Sequence, residues 1–333
     1  MRFDILYRTS FLYDAPVSES QNELRACPAT DGHQHLVSYR VAVVPDARVL
    51  SFTDYFGTRV DAFGVREPHR RLEIVAEASV ETSDPVEIAE GGTLDDLLGA
   101  EFVAAHHEYL ARTRHTDWND DIQEAAAACA EQVGPSVRAV VQAIHDRVRA
   151  SIRYEKEVTD IGTPVADVLA GGAGVCQDFA HLAVAMCRSI GIPARYVSGY
   201  LFASDDSALV EGEAAPVLEV QTHAWIEAAI PAAGWLPLDP TNGRAVGAHH
   251  VKLGHGRDYD DVSPFRGVHH GRANADLEAS VEIRRGDPVL PGLLGSIVEG
   301  WSDSPSTPVR TRLGSRAAPL MPDLDQEQQQ QQQ

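Results

Sequence analysis

Residues 171–190 read GGAGVCQDFAHLAVAMCRSI. A glycine-rich turn runs directly into a cysteine, and the cysteine runs directly into an apolar pattern. Phe179, Leu182, Ala183, Met186 and Ile190 recur at helical spacing, and Gly191 and Pro193 end the pattern. The spacing predicts a helix over about 176–190 with Cys176 in its first turn. The N–H groups of a first turn are unpaired and carry partial positive charge. They stabilise a thiolate and can hold a developing oxyanion beside it. Gly171, Gly172 and Gly174 let the preceding backbone turn tightly and leave room for a substrate carbonyl. One short stretch thus offers a nucleophile and an oxyanion donor, the latter being the backbone N–H of Cys176 or the side chain of Gln177.

A nucleophilic thiol needs a base. The stretch VLEVQTHAWIEAAI, residues 217–230, reads as one strand. Alternation puts Leu218, Val220, Thr222, Ala224 and Ile226 on the core face, and Glu219, Gln221, His223, Trp225 and Glu227 on the other. His223 then points to the functional side, with Trp225 as a cleft wall. A short turn leads to a second strand, GWLPLDP, in which Asp239 shares a face with Trp235 and Pro237. A hairpin brings Asp239, or Asn242 three residues on, beside His223, where either can orient the imidazole. Taken singly, each of these residues has a plain structural reading. The inference rests on the three together.

Working outward, residues 1–88 are strand-rich and punctuated by turn residues such as Asp31-Gly32 and Glu67-Pro68, which predicts an all-β, sandwich-like domain. Composition then shifts. Thr93 is an N-cap candidate for a helix through about Arg112; DDIQEAAAACAEQV is a second helix; Pro135 opens a third. Residues 203–215 form an acidic loop expected to be mobile. From residue 286 onward Pro, Ser, Gly and charge dominate, and the chain closes on a glutamine run, so a disordered tail over 286–333 is expected. Residues 93–285 form the second domain. The fold class is α+β, with the cysteine helix packed on an antiparallel sheet that carries the histidine and the aspartate.

The segments GVCQDFAHLAVAMCRSIGIPARYVSGY, THAWIEAAIPAAGWLPLDPTNG and GHGRDYDDVSPFRG resemble the signature segments of bacterial transglutaminase-like proteins, within the papain-like cysteine enzyme superfamily. The strand-rich start resembles the N-terminal domain that accompanies that core. The resemblance implies Cys176 as nucleophile, His223 as base and Asp239 as orienting acid. It implies a cysteine hydrolase or acyltransferase acting on a peptide, protein or isopeptide amide through a thioester, protease-like rather than cross-linking. A non-catalytic peptide- or protein-binding module on the same fold is the alternative. Tyr154, Tyr200 and Tyr259 are candidates to line the cleft, and Arg257 with Asp258 is read as an ion pair shaping it.

The net charge of −21 argues against non-specific nucleic-acid binding and against anionic membrane surfaces. No apolar run is long enough to span a bilayer, and the first residues make a poor secretory signal. Four sparse cysteines (Cys27, Cys129, Cys176, Cys187) suit free thiols in a reducing, cytoplasmic setting. His249, His250, His255, His269 and His270 lie close in sequence without a zinc-binding spacing, so neither a metal nor a cofactor is expected. Oligomeric state is open.

Overall fold

The first 82 residues, enriched in β-branched and aromatic side chains, do form strands: β1 (Arg2–Leu24), β2 (Gln34–Val44), β3 (Leu50–Thr53), β4 (Arg59–Val65) and β5 (His69–Thr82). The computed structural model describes residues 1–84, 88–202, 217–220, 222–243 and 245–286. The tail and the acidic loop discussed above lie outside these residues. Strand β1 runs through two layers. Its first half lies against β5, and its second half, past an irregularity between Leu12 and Val17, lies against β4. Phe3, Ile5 and Tyr7 from the first half share one core with Leu24 from the second and with Phe63 and Val65 of β4. This is the sandwich-like arrangement that the alternating sequence called for.

The helical region is less regular than the sequence suggests. The helix expected from Thr93 to Arg112 is three pieces: a 3₁₀ turn at Leu94–Leu98, α1 (Ala100–His106) and a second 3₁₀ turn at His107–Leu110. Gly99 interrupts it with extended backbone, ψ 128°. Thr93 is the N-cap residue, and Asp96 Oδ2 accepts its N–H at 2.7 Å and its hydroxyl at 2.9 Å. Then come α2 (Asp120–Val133) and α3 (Val137–Ser151), each capped at its N-terminus by a side chain, Asn119 and Ser136. They are followed by β6 (Arg153–Tyr154), α4 (Val165–Gly171), β7 (Ala173–Gly174) and α5 (Cys176–Ser189).

Helix α5 is the centre of the second unit. The sequence predicts an apolar stripe, yet every residue from Asp178 to Ser189 is buried. It packs against α2, α3, α4 and a four-stranded antiparallel sheet in the order β11-β10-β8-β12. These strands are β8 (Ala194–Leu201), β10 (Thr222–Ile230), β11 (Gly234–Leu238) and β12 (His250–Gly256). Burying a large apolar side chain such as Phe179 or Leu182 is worth about 1.5–3 kcal/mol each, so this helix anchors the layer that carries Cys176.

The stretch 217–230 is two strands, not one. Before β10 lies β9 (Val217–Val220), which pairs with the outermost partner of the N-terminal sheet, β14 (Ala275–Arg285). Within β10 the alternation holds: Ala224, Ile226, Ala228 and Ile230 face the helices. After the short α6 (Tyr259–Val262), β13 (Phe265–His270) and β14 return to β1, with Phe3 opposite Arg285 and Tyr13 opposite Ala275. The eight-stranded sheet therefore takes three strands from the stretch that the sequence groups with the downstream unit. Tyr200, Phe202, Val251 and Leu253 of the smaller sheet sink into its core.

Candidate active site

The turn before α5 is built around one carboxylate. Gly172 ends α4 in the left-handed region at φ 64°. Two residues on, a Cβ at Gly174 would lie 2.7 Å from Asp178 Oδ2, so only glycine lets this carboxylate close over the turn. Asp178 Oδ2 accepts the Val175 N–H at 2.8 Å and the Thr159 hydroxyl at 2.6 Å. Asp178 thereby caps the helix by hydrogen bonding rather than by charge alone. Burial raises its pKa against the pull of those two bonds. Cys176 follows as the first helical residue, half-buried, with Sγ 3.9 Å from the Thr222 carbonyl oxygen.

Thr222 opens β10, and His223 comes next. Its Nε2 lies 2.8 Å from Asp239 Oδ2, at the end of the neighbouring strand β11. The buried carboxylate takes the Nε2–H, which leaves Nδ1 for the thiol. Burial works to lower the His223 pKa, but the hydrogen bonds with Asp239 and with Cys176 outweigh it and raise it to about 9. Asp239 is fully buried and still ionises readily. Burial raises its pKa, while bonds from His223, His250 and Asn242 bring it well below the usual carboxylate range. The backbone N–H groups of Thr241 and Asn242 also donate to its Oδ1, at 3.0 and 3.2 Å.

Between the two candidates for orienting His223, Asp239 makes the close contact. Asn242 Nδ2 holds the carboxylate itself, 3.0 Å from Oδ2. Two partners of Asp239 were not picked out from the sequence. His250 Nε2 lies 3.3 Å from the same Oδ2, and its Nδ1 accepts the Gly247 N–H at 3.2 Å, which fixes the tautomer. His145, from α3, places Nε2 3.0 Å from the Asp239 carbonyl oxygen. The signal for His145 was a histidine inside an apolar helical stripe; for His250 it was a strand beginning at a histidine pair. His223, Asp239 and His250 offer three possible metal ligands within 4.8 Å of one another.

The other named residues divide. Tyr154 is 48% exposed and near enough to the thiol for its charge to add to the burial that raises the tyrosine pKa. Gln177 is half-buried, and its amide donates to the Ile161 carbonyl at 3.4 Å. Trp225 is not a cleft wall. It is 1% exposed, edge-on to His250 at 5.3 Å, with Gly199 beneath it, where a Cβ would meet the indole at 2.4 Å. Tyr200 is likewise fully buried, in the N-terminal core, because β8 turns that end toward the larger sheet. Tyr259 is partly buried, and its N–H donates to His181 Nε2 at 3.2 Å. Arg257 pairs with Asp261 at 2.9 Å rather than with Asp258, which instead caps α6. The histidines clustered in sequence disperse: His255 meets Arg195 at 3.0 Å, and His269 lies edge-on to Tyr13. Among the described residues no helix is long and apolar enough to cross a membrane.

Comparison with known proteins identifies the family. The model of the transglutaminase-like superfamily matches residues 123–240, which hold Cys176, His223 and Asp239, and that of the bacterial transglutaminase-like N-terminal region matches residues 3–81. An uncharacterized protein of Mycobacterium leprae is 34% identical over 284 residues, spanning 85% of this chain and 99% of that protein. One from Mycobacterium tuberculosis is 32% identical over 298 residues, spanning 85% of this chain and 92% of that protein. A solved structure from Cytophaga hutchinsonii shares the fold at a TM-score of 0.65, with 23% identity and coverage of 87% of this chain and 92% of that one. On these matches the chain belongs to the transglutaminase-like superfamily and carries its bacterial N-terminal region.

Proposed function

We propose that this protein is a cysteine enzyme that cleaves or transfers the acyl group of a peptide or isopeptide amide, with Cys176 as nucleophile, His223 as base and acid, and Asp239 as the group that orients His223. The supporting observation is one imidazole held by a fully buried carboxylate and close enough to a half-exposed thiol for the thiol to raise its pKa. In this reading His223 Nδ1 takes the thiol proton. The thiolate attacks the amide carbonyl carbon, forming the S–C bond and an oxyanion that the Cys176 N–H stabilises. Collapse breaks the C–N bond, and the amine leaves with the proton from Nδ1. Water or a second amine then attacks the thioester carbonyl and releases Cys176. A cytoplasmic location is in keeping with four cysteines that all stand as thiols.

The test is to incubate the protein with a peptide and lysate-peptide library, quench in acid and search for an acyl adduct by mass spectrometry. A thioester mass on the tryptic peptide bearing Cys176, absent from Cys176→Ala, is the expected result. Binding of peptides without turnover, unaltered by Cys176→Ala, would instead identify a binding module.

A further inference from the structure

Beside His181 of α5, three possible ligands converge. His115 lies in the turn before α2 and is 3% exposed. Asp258 and Asp260 come from the segment that opens α6. One side-chain ligand atom from each of the three lies within 4.8 Å of the other two. The acidic pair alone would mean little. The imidazole changes the reading, because its Nε2 is buried and has no hydrogen-bond partner. Asp260 Oδ1 is only 3.1 Å from that nitrogen. Contact at this distance without a hydrogen bond means that the oxygen lies off the N–H axis. Two ligands bound to one ion stand in that relation. With bonds of about 2.1 Å and ligand angles between about 90° and 109°, their separation is about 3.0–3.4 Å.

The neighbouring cations do not neutralise the pair by hydrogen bonding. Arg188 spends its donors on the carbonyls of Ala111, Ala194 and Arg257 and on the Thr116 hydroxyl. Arg257 is committed to Asp261. His181, stacked on His115 at 5.1 Å, accepts from the Tyr259 N–H and so keeps its Nε2 out of the cluster. Asp258 is 4% exposed and is held by the Asp260 N–H at 2.9 Å. The Asp260 side chain is 53% exposed, which gives an ion and its remaining water ligands a route in.

We propose that His115, Asp258 and Asp260 form a binding site for one divalent first-row cation of the kind that takes mixed imidazole and carboxylate ligands, such as Mn²⁺ or Zn²⁺. The ion would clamp the turn before α2 to the segment opening α6, the two stretches that enclose His181 of α5. This inference is independent of the proposed chemistry at Cys176, since its readout is binding.

The experiment uses untagged, full-length protein stripped with chelator and titrated with Mn²⁺, a hard ion that disfavours the thiol; the free ion is read by electron paramagnetic resonance. One Mn²⁺ per chain in the micromolar range is expected, together with a rise in the thermal unfolding midpoint. Asp260→Asn keeps the backbone bond to Asp258 and should weaken binding by about tenfold or more and abolish the midpoint rise. His250→Gln, which alters the other candidate cluster, should leave binding intact. Absence of saturable binding at millimolar Mn²⁺, equal affinity in Asp260→Asn, or loss of binding in His250→Gln would each overturn the proposal.

Discussion

A thiol in the first turn of a helix differs from a thiol in a core by what surrounds it, and this chain holds both kinds. Cys27, Cys129 and Cys187 are buried, and burial pushes the first and last of them up to about 12. Cys176 is half-buried beside an imidazole. Iodoacetamide at pH 7.5 should therefore label Cys176 first, with the other three slower by about tenfold or more; peptide mapping of a time course checks this, and equal labelling of all four would contradict it. His223→Gln should slow the Cys176 reaction alone. The imidazole also ties stability to pH. Because the folded pKa of His223 is raised to about 9, its contribution is complete below its ordinary 6.5 and is lost as pH climbs through 9. A rise of that size corresponds to about 3 kcal/mol. Asp239 has the opposite sign: its contribution is complete above the ordinary carboxylate range and is lost only as pH falls below it. Urea unfolding at pH 6.5 and pH 9.5 should show wild type losing more stability between the two than His223→Gln; parallel losses would mean that His223 is not the linked group. That Cys176, His223 and Asp239 come near one another was legible in the sequence because a helix start and a strand hairpin fix where each side chain is presented. His250 and His145 were not, because they act on Asp239 across strand and helix pairings that only the tertiary fold creates.

At the scale of elements, the junction β7-turn-α5 depends on Asp178 more than on the glycines alone. Its carboxylate joins Val175, at the cap, to Thr159 from a separate loop. Removing it in Asp178→Ala should cost about 1–2 kcal/mol through the lost cap and should also slow Cys176 alkylation, since the first turn then frays. Thermal melts and the same alkylation course measure both; a stability loss with unchanged alkylation would separate the cap from the thiol's setting. Sequence reading located α2, α3 and α5 well, because their apolar periodicity is long and their caps are explicit. It over-extended the helix at 94–112, where Gly99 and a run of weakly apolar residues let the chain relax into 3₁₀ turns. It also fused β9 with β10. Both halves alternate, and a strand that leaves one sheet for another keeps its local pattern while changing its partners.

Across the whole molecule, the decisive pairing is that of β1 with β14, eleven residue pairs from Phe3–Arg285 to Tyr13–Ala275. Local pattern recognised the strands of residues 1–82, but not that residues 265–285 complete their sheet, because strand pairing at such separation leaves no local trace. Deleting residues 273–333 should expose the edge of β1 and shift the protein to aggregates; size-exclusion chromatography would show this, and a stable monomer of the truncated chain would refute it. The same pairing governs the order of events during synthesis. Strand β1 is made more than 260 residues before its partner β14, so this edge of β1 stays open while the intervening residues are synthesised. Contacts of such long range slow folding, and a nascent chain with an unsatisfied edge is a natural client for a chaperone until β14 arrives.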